Sequence, residues 1–523
     1  MEAQEILKFC LEKGLLIDKD VLSLLSETDD AESAKLIINE IKNQTNNKVI
    51  TKKVFQENKE KVNRIFLELP EENREKLENL KIKLGLSIEI PRDVAKELIK
   101  EHSKEKSKLE EANDVKVVSM HPVEGKKLEV KDFVKYFRGR VSQMKTVLQD
   151  RTELTNLVSI NKISNKRQMF SIIGIVSDKR ITKNKNLILD LEDLTGKIRV
   201  LINKNRSELF EKGEEIALDS VIGIKGSGNR EILFANEVIF PDTSLPHRKK
   251  GNVDEYAAFI GDLHVGSKLF MEENFLKFIA YLNGKVPDTP EVSKIKYLFL
   301  IGDLIAGVGI YPGQEEELAI PDVEAQYSRV AELLGKIRKD IKIIVAPGNH
   351  DALRIMEPQP VLDEKYAWPL YNLKNVILVG NPTTVNVGSK KGFSGFDVLL
   401  YHGYSFHYYS NNISRLILEK ASHTPEKIME YLLKNRHLAP SHSSTLYFPS
   451  EKDPFFLENA PDIFFSGHTH KSGITYYNNI LLVSSSSWES KTAFQEKMGN
   501  EPDFCKVPLF NLKSRAVKIL DFE

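Results

Sequence analysis

Five apolar runs in the second half of the chain each end in polar side chains that can bind a metal ion, and this repetition constrains the fold more than any other feature. The runs lie in the segments YAAFIGDLHVG, YLFLIGDL, IIVAPGNHD, VLLYHGYS and IFFSGHTH. Apolar runs of this length beside glycine predict buried strands of an α/β sheet, and such sheets hold ligands at the carboxyl ends of their strands. If the strands are neighbours in one sheet system, one cleft receives eight polar groups: Asp262, His264, Asp303, Asn349, His350, His402, His468 and His470.

Two of these clusters have the spacing of paired ligands. In Asp262-x-His264 and His468-x-His470 the side chains are two residues apart, and an extended backbone would point both to the same side. A turn-capping aspartate would explain Asp303 alone, but five coincident motifs in chain order favour a metal site. Glycines are expected to let the backbone turn sharply where the ligands follow the strands; they are Gly261, Gly302, Gly348 and Gly467.

The charges of this group suit two-metal hydrolysis of a phosphate ester. Two divalent cations would bring about +4 and the two aspartates about −2, while histidine and asparagine add no charge. The surplus of about +2 can receive a phosphodiester anion and a hydroxide. The mixed nitrogen and oxygen donors favour Mn, Fe or Zn over Mg. Asp303, on a middle strand, is the residue best placed to bridge both ions.

Length and composition limit the number of domains and the classes of protein to which the chain can belong. At 523 residues the chain exceeds one compact core, so roughly three domains are expected. Lys plus Arg and Asp plus Glu both number 75, which excludes a uniformly basic protein but leaves room for a local basic patch. Two cysteines are too few for a disulfide framework. Without a signal peptide or a membrane-length apolar run, the sequence predicts a soluble, cytoplasmic protein with no membrane partner.

The first quarter of the chain predicts a helical module and a linker. Apolar residues recur at helical spacing between residues 3 and 42, and a helical module is predicted over residues 1–48. Residues 49–130 are predicted to be a charged helical or flexible linker, because Lys100–Lys116 has ten charged residues in seventeen. The next domain, residues 131–245, begins with a helix whose apolar stripe is Phe133, Phe137, Val141, Met144 and Leu148.

Five short alternating strands between Met169 and Phe240 predict an OB-fold barrel. Residues 159–206 contain eleven Lys or Arg against four Asp or Glu, a net charge of +7. This excess is typical of a surface that binds single-stranded nucleic acid, although a solvated spacer or a protein-docking face would also explain it. The residues predicted to follow the DNA backbone are Lys179, Arg180, Lys183 and Lys185.

The motif set D-x-H, G-D, G-N-H-D, H and G-H-x-H resembles that of the calcineurin-like metallophosphoesterases. The resemblance implies a two-sheet α/β sandwich over residues 253–523, and the whole chain is then an α/β (α+β) multidomain protein. It implies one ion held by Asp262, His264, Asp303 and His470. It implies a second ion held by Asp303, Asn349, His402 and His468. His350 would stay unliganded and assist catalysis by stabilising the transition state or protonating the leaving oxygen.

Flanking segments are similar to the small-subunit family of archaeal family D DNA polymerases, over about residues 130–523. They are YHGYSF, LLKNRHLAP, APDIFFSGHTHKSG and SSSSWESKTAFQEKMGNEPDFCKVPLFNL. The resemblance implies a proofreading 3′-5′ exonuclease with two divalent metal ions, Mn²⁺ favoured and Mg²⁺, Fe²⁺ or Zn²⁺ as alternatives. It implies a large polymerising subunit as partner, single-stranded and primer-template DNA as ligands, and a sliding clamp as a further candidate partner.

Two other functions are compatible with parts of this pattern. A related accessory subunit that has lost its metal ligands would act only as a scaffold for the large subunit and DNA, but every ligand position is retained here. A protein phosphatase of the same superfamily would carry G-D-x-x-D-R-G, where the later Asp orients the catalytic His. In this chain Ala306 stands in place of that Asp and no Arg follows, which disfavours a phosphatase and leaves the orienting partner of His350 open.

Overall fold

The computed structural model describes residues 2–26, 48–51, 115–121 and 127–523, with the single positions 35, 38, 39, 42 and 54. The chain forms two compact units, Met1–Glu111 and Ala112–Glu523. Among the described residues, none of the helices combines the length and the apolar character that crossing a membrane requires.

The first unit contains the predicted helical module. Its elements are α1 (Glu2–Glu12), β1 (Leu16–Ile17), α2 (Lys19–Ser26) and β2 (Val49–Ile50). Ile6 and Cys10 of α1 are fully buried, as the helical spacing predicts. The boundary at residue 48 is wrong, because β2 pairs in parallel with β1 and Ile50 is buried. The charged segment Lys100–Lys116 lies, up to residue 114, outside the described residues.

The second unit opens with strand β3 (Val115–Met120) and helix α3 (Val130–Leu148), followed by a closed five-stranded barrel. The barrel is the predicted OB-fold, with strand order β4-β5-β6-β8-β7 and an interior of Ile, Leu and Val side chains. Its elements are β4 (Gln168–Ile181), β5 (Leu187–Asp193), β6 (Gly196–Ile202), α4 (Ser207–Glu214), β7 (Val221–Gly228) and β8 (Ile232–Ile239).

Helix α3 joins the barrel to the rest of the unit. The C-terminal half of its predicted stripe, Val141 to Leu148, packs on barrel strands β4 and β7, while Phe133 and Phe137 pack on the C-terminal domain. Between these halves lies Arg140, which is 1% exposed and donates to Asp453 at 2.7 Å. The apolar stripe therefore marked the packed face of the helix but did not indicate the buried ion pair at its centre.

The C-terminal domain is a sandwich of two six-stranded sheets, and the ring of Phe259 in one sheet lies 4.9 Å from that of Phe465 in the other. The strands are β9 (Tyr256–Ile260), β10 (Ile295–Ile301), β11 (Lys342–Ala346), β12 (Val376–Leu378), β13 (Thr383–Val387), β14 (Phe396–Leu400), β15 (Ile463–Ser466), β16 (Gly473–Tyr477), β17 (Ile480–Ser484), β18 (Lys506–Asn511) and β19 (Val517–Asp521). The first sheet has the order β12-β11-β10-β9-β18-β19 and the second β16-β17-β15-β14-β13-β3.

The C-terminal domain also contains α-helices. They are α5 (Glu272–Leu282), α6 (Val323–Gly335), α7 (Glu364–Tyr371), α8 (Phe406–Asn412), α9 (Ser414–Leu418), α10 (Pro425–Lys434) and α11 (Ala493–Met498). The apolar faces of α5, α6 and α7 pack on the first sheet, and those of α8 and α10 pack on the second. The central strands of each sheet are thus covered on both faces, which explains why their sequences are continuous apolar runs.

Strand β3 corrects the prediction that residues 49–130 form a linker. It pairs antiparallel with β13, from Met120 opposite Thr383 to Val115 opposite Val387, and forms an edge of the second sheet. Val115 is 6% exposed within the sandwich core. The charged composition around this segment hid a strand that is defined by its pairing with the distant β13, since Val115 is buried while Val117, Val118 and Met120 stay exposed.

Candidate metal centre

All five predicted strand-end motifs meet at one edge of the sandwich, but they come from two sheets rather than one. Strands β9, β10 and β11 are parallel neighbours in the first sheet, and β14 and β15 are parallel neighbours in the second. The carboxyl ends of these strands face each other across the sandwich. The two sheets are those of the sandwich that the resemblance implies, and the expected convergence of the five motifs takes place between them.

Asp303 lies between two groups of ligand-type side chains. Its Oδ2 is 3.3 Å from Nε2 of His402 and 3.8 Å from Nε2 of His264, and the side chain is 2% exposed. His402 follows a strand of the second sheet, whereas His264 follows a strand of the first sheet. A carboxylate in this position can contact one cation on each side.

The group beside β9 consists of Asp262, His264 and His470, whose ligand atoms lie within 4.8 Å of one another. Nε2 of His264 is 3.1 Å from Nε2 of His470, and the latter nitrogen is 3.6 Å from Oδ1 of Asp262. Two imidazole nitrogens and a carboxylate oxygen thus converge on one point. This is the donor set that a divalent transition metal ion or zinc prefers.

The group beside β14 consists of Asp303, His402 and His468, again within 4.8 Å of one another. Asn349 joins it, because its Oδ1 lies 3.1 Å from Nε2 of His402. The structure therefore brings these side chains together. A third group, His264, Asp303 and His350, has the same spacing, so the division of the ligands between two ions stays a prediction.

His350 lies beside both groups. Its ring contacts that of His264 edge-on, with centroids 4.7 Å apart, and its backbone N–H donates to Oδ1 of Asp303 at 2.8 Å. Its Nδ1 donates to the backbone carbonyl of Ala306 at 2.9 Å. Ala306 stands where phosphatases carry an orienting aspartate, and it orients His350 through its backbone carbonyl. The sequence alone did not reveal this contact.

The ligand-bearing loops have left-handed backbone, which overturns the prediction of extended Asp-x-His and His-x-His pairs. The φ angles are +52° at Asp262, +51° at His264, +50° at Asp303, +68° at His468 and +55° at His470. Side-chain-bearing residues adopt this region at a cost, and such residues are common at functional sites.

The expectation that four glycines provide sharp turns is also only partly correct. Of the four, only Gly302 has a positive φ, at +73°. Gly348 is needed for a different reason, since a Cβ there would overlap the side chain and backbone of Asp303.

Burial separates the protonation preferences of these side chains. It lowers the pKa of His264 and His468 well below the usual value and that of His470 to about 4, so these rings are held in the neutral form that binds metals. Burial raises the pKa of Asp262 to about 8. At the pair formed by Asp303 and His402, burial favours the neutral form of each group, while the opposite charges favour the charged forms. The carboxylate of Asp303 outweighs burial and raises the pKa of His402 to about 10, while the pKa of Asp303 falls well below its usual range.

Several supporting residues were missed by sequence reasoning. Asp351, 3% exposed, accepts from the backbone N–H of Gly348 at 2.8 Å and from the hydroxyl of Tyr327 at 3.2 Å. Burial, together with the charge of Asp303, raises the pKa of Asp351 to about 7. It belongs to the GNHD motif, so a buried carboxyl directly after His350 was a usable signal.

Two amides connect the ligand loops of the two sheets. Asn381 accepts the backbone N–H of His402 at 2.9 Å and donates to Gln359 at 2.8 Å. Gln359 donates to the carbonyl of Gly348 at 3.0 Å. These contacts hold the Asn349 loop beside the His402 loop, and no local sequence pattern indicated them.

The remaining ligands also have outer partners. Ser485, directly after β17, donates to Asp262 at 3.2 Å, and Nε2 of Gln495 lies 2.8 Å from Nδ1 of His470. Contacts of this kind orient metal ligands and tune their basicity. The Gln495 contact comes from α11, in the C-terminal segment that carried the resemblance.

The predicted DNA-binding residues of the barrel divide into two pairs. Lys179 is half-buried and donates to the carbonyls of Glu214 and Ile216 at 2.7 and 2.8 Å, and Arg180 pairs with Asp178 and Asp190. Both side chains are thus engaged within the barrel, and their role as DNA contacts stays a prediction. Lys183 and Lys185 are exposed in the β4–β5 turn, and within the described residues neither forms an ion pair.

Comparison with known proteins agrees with this architecture. The calcineurin-like phosphoesterase family matches residues 257–472, and the OB-fold nucleic acid binding domain matches residues 170–231. The chain is 37% identical to the DNA polymerase II small subunit of Methanothermobacter thermautotrophicus, over 75% of this chain and 80% of that protein. It is 38% identical to that of Pyrococcus furiosus, over 75% and 64%. It is 38% identical to that of Methanocaldococcus jannaschii, over 73% and 64%, so it spans slightly under two thirds of these two relatives.

Proposed function

Because the chain belongs to the DNA polymerase II small subunit family and carries a calcineurin-like phosphoesterase domain, we propose that it is a metal-dependent 3′-5′ exonuclease that proofreads DNA for a two-subunit polymerase. The reaction is hydrolysis of the terminal phosphodiester of a DNA strand. Water adds across the bond between phosphorus and the 3′ oxygen, which releases a nucleoside 5′-monophosphate and leaves a 3′ hydroxyl.

One observation carries the proposal: the Asp303 carboxylate lies between two groups of ligand-type side chains, 3.3 Å from His402 and 3.8 Å from His264. This arrangement gathers two groups of nitrogen and oxygen donors around one shared carboxylate, which is the ligand pattern of a two-cation site rather than of a structural ion pair. Two-metal phosphodiester hydrolysis requires it.

The residues present fit two divalent cations. Metallophosphoesterases use divalent metals, and the nitrogen-rich donor set favours Mn²⁺, with Fe²⁺, Zn²⁺ or Mg²⁺ as alternatives. Asp303 would contact both ions, and when bound they would polarise the phosphate and favour formation of a hydroxide nucleophile. The first ion would be held by Asp262, His264, Asp303 and His470. The second would be held by Asp303, Asn349, His402 and His468.

His350 is the residue we assign to proton transfer. Its Nδ1–H is held by the Ala306 carbonyl at 2.9 Å, so that Nε2 is the nitrogen free to exchange a proton. Hydrolysis requires a proton on the leaving 3′ oxygen, and a positioned imidazole supplies one. The Asp351–Tyr327 pair positions the loop that carries His350, since it binds the backbone of Gly348 and Ala352.

A proofreading nuclease receives its substrate from a polymerase, so the proposal includes a large polymerising subunit as partner. The names of the relatives, each a small subunit, support this. The barrel, helix α3 and the sandwich lie in one compact unit and provide the surface we assign to docking.

The test is nucleotide release from 5′-labelled single strands and from mismatched primer ends by the purified chain, with Mn²⁺ or with a chelator. Stepwise shortening from the 3′ end that depends on the metal is expected. His350→Ala should bind two ions and lower the rate about 100-fold, and metal loss in that variant would make His350 a ligand. If a chain with both ions bound releases no nucleotide from any end, the protein is a scaffold.

A further inference from the structure

A cavity of about 640 Å³ opens in front of the metal centre, a size within the range of ligand pockets. Its floor includes Asp303, Asn349, His350 and His468. Its two walls differ in chemistry, and the difference bears on which part of a DNA strand each wall can bind.

The wall on the side of the second sheet is aromatic. After His402 the chain turns at Gly403, where φ is +114°, and then enters α8. The rings of Tyr404 and His407 lie 5.6 and 5.4 Å from the ring of His468. Tyr408 lines the cavity next to them. An aromatic surface therefore begins one ring away from a ligand of the second ion.

The wall on the side of the first sheet is polar and acidic. It presents Gln314, Glu317 and Glu489, and its one tyrosine, Tyr311, donates its hydroxyl to Glu317 at 2.5 Å. This wall offers carboxyl and amide groups rather than a stack of rings. It is a poor surface for an apolar, planar group.

We propose that Tyr404, His407 and Tyr408 form the subsite for the base of the 3′-terminal nucleotide, which must be unpaired to enter. The inference rests on the proposed exonuclease function and deepens it. With the terminal phosphate at the metal centre, the attached nucleotide reaches only its immediate surroundings, and the rings beside His468 are there. Aromatic side chains stack on every base, so the subsite accepts all four.

This subsite explains how the enzyme would prefer mismatched ends without reading sequence. A correctly paired terminal base must break its pair and its stack to reach the α8 wall, and a mismatched base has already lost most of that energy. Stacking on the aromatic wall replaces the stacking energy that the base loses on leaving the duplex, for a paired end and for a mismatched end. The remaining difference between the two ends is the pairing energy itself.

The experiment compares two 5′-labelled single strands that differ only at the 3′ terminus, which carries a base in one and is abasic in the other. The full chain with Mn²⁺ should remove the base-bearing residue about tenfold faster. Tyr404→Leu, and separately His407→Leu, should reduce that ratio toward one. Tyr404→Phe should retain it, because the ring face remains.

Tyr311→Leu, on the opposite wall of the same cavity, is the matched control and should leave the ratio at its original value. A ratio that survives in both the Tyr404→Leu and His407→Leu variants, or that is lost in Tyr311→Leu, overturns the subsite. A wild-type chain that degrades both strands equally refutes the base subsite while the exonuclease assignment stands. A wild-type chain that degrades neither refutes the exonuclease, and the subsite with it.

Discussion

The described part of the chain contains two buried clusters of aspartate and histidine, which differ in whether their members complement one another. At the junction of α3, the barrel and the sandwich, Asp453 accepts from Arg140 at 2.7 Å, from His437 at 2.9 Å and from Tyr136 at 3.1 Å. Arg140 also donates to backbone carbonyls from the barrel and the sandwich. Each polar or charged group named at the junction has a hydrogen-bond or ion-pair partner inside the protein.

At the metal centre, side chains of the same kind converge instead. His264 faces His470 with 3.1 Å between their Nε2 atoms, and burial holds the pKa of both rings below its usual value. Both clusters contain buried Asp and His, so composition does not distinguish them. The arrangement does, because complementary donors and acceptors stabilise a fold, whereas convergent acceptors bind a cation.

The largest expected effect comes from breaking the junction. Asp453→Asn leaves Arg140 buried without its counter-charge, which should lower the free energy of unfolding by about 3–5 kcal/mol. The measurement is urea unfolding of the barrel–sandwich unit. Asp340→Asn, which breaks an exposed pair with Lys296, is the control and should cost about 0–1 kcal/mol. Equal effects of the two variants would refute a structural role for the junction.

Next in size is Asp303→Asn at the metal centre. The variant loses a negative charge and the shared ligand, so one ion should be lost and hydrolysis should slow at least about 100-fold, or about 2.7 kcal/mol. Metal content and nuclease rate are the readouts, and unfolding should not become easier. Near-normal hydrolysis with two ions bound would remove Asp303 from the bridging position.

A smaller effect is expected from acid at the junction. Burial lowers the pKa of His437 to about 4, from about 6.5 in an unfolded chain. Between these values the unfolded state binds a proton that the folded state does not, so stability is lost as pH falls from about 6.5 toward 4. From pH 7 to pH 5 the loss should be about 2 kcal/mol.

The readout is the difference between wild type and His437→Gln in urea unfolding at both pH values. The Asp453 carboxylate, whose pKa lies below its usual range because the positive charges of His437 and Arg140 outweigh burial, contributes only at still lower pH. An unchanged pH dependence in His437→Gln would show that His437 is not held neutral.

The smallest effect concerns the barrel, where the same distinction between engaged and free charges applies. The measurement is the slope of log affinity for single-stranded DNA against log salt concentration. Replacing Lys183 and Lys185 by Gln should reduce the magnitude of this slope by about 1.4. Replacing Lys179 and Arg180 by Gln is the matched control and should leave that slope nearly unchanged, because their charges are already engaged. If the control pair flattens the slope more, the DNA path lies on the other face of the β4–β5 hairpin.

The sequence predicted the convergence of the ligand-type residues, because all of them directly follow apolar strands, and such a pattern is local. It predicted the barrel for the same reason. It did not predict strand β3, since Val115–Met120 pairs with β13 more than 260 residues away, and a short strand beside a charged segment has no pattern of its own.

By itself the sequence indicated which side chains are of ligand type, which strands precede them and where the barrel lies, because these depend on residue type and on short-range periodicity. Only the tertiary structure decided that two sheets share the site, that the Ala306 carbonyl orients His350, and that Lys179 is engaged within the barrel. Each of these depends on a distance between residues far apart in the chain or on a backbone carbonyl. Every residue has that carbonyl, so no residue type indicates which one is used.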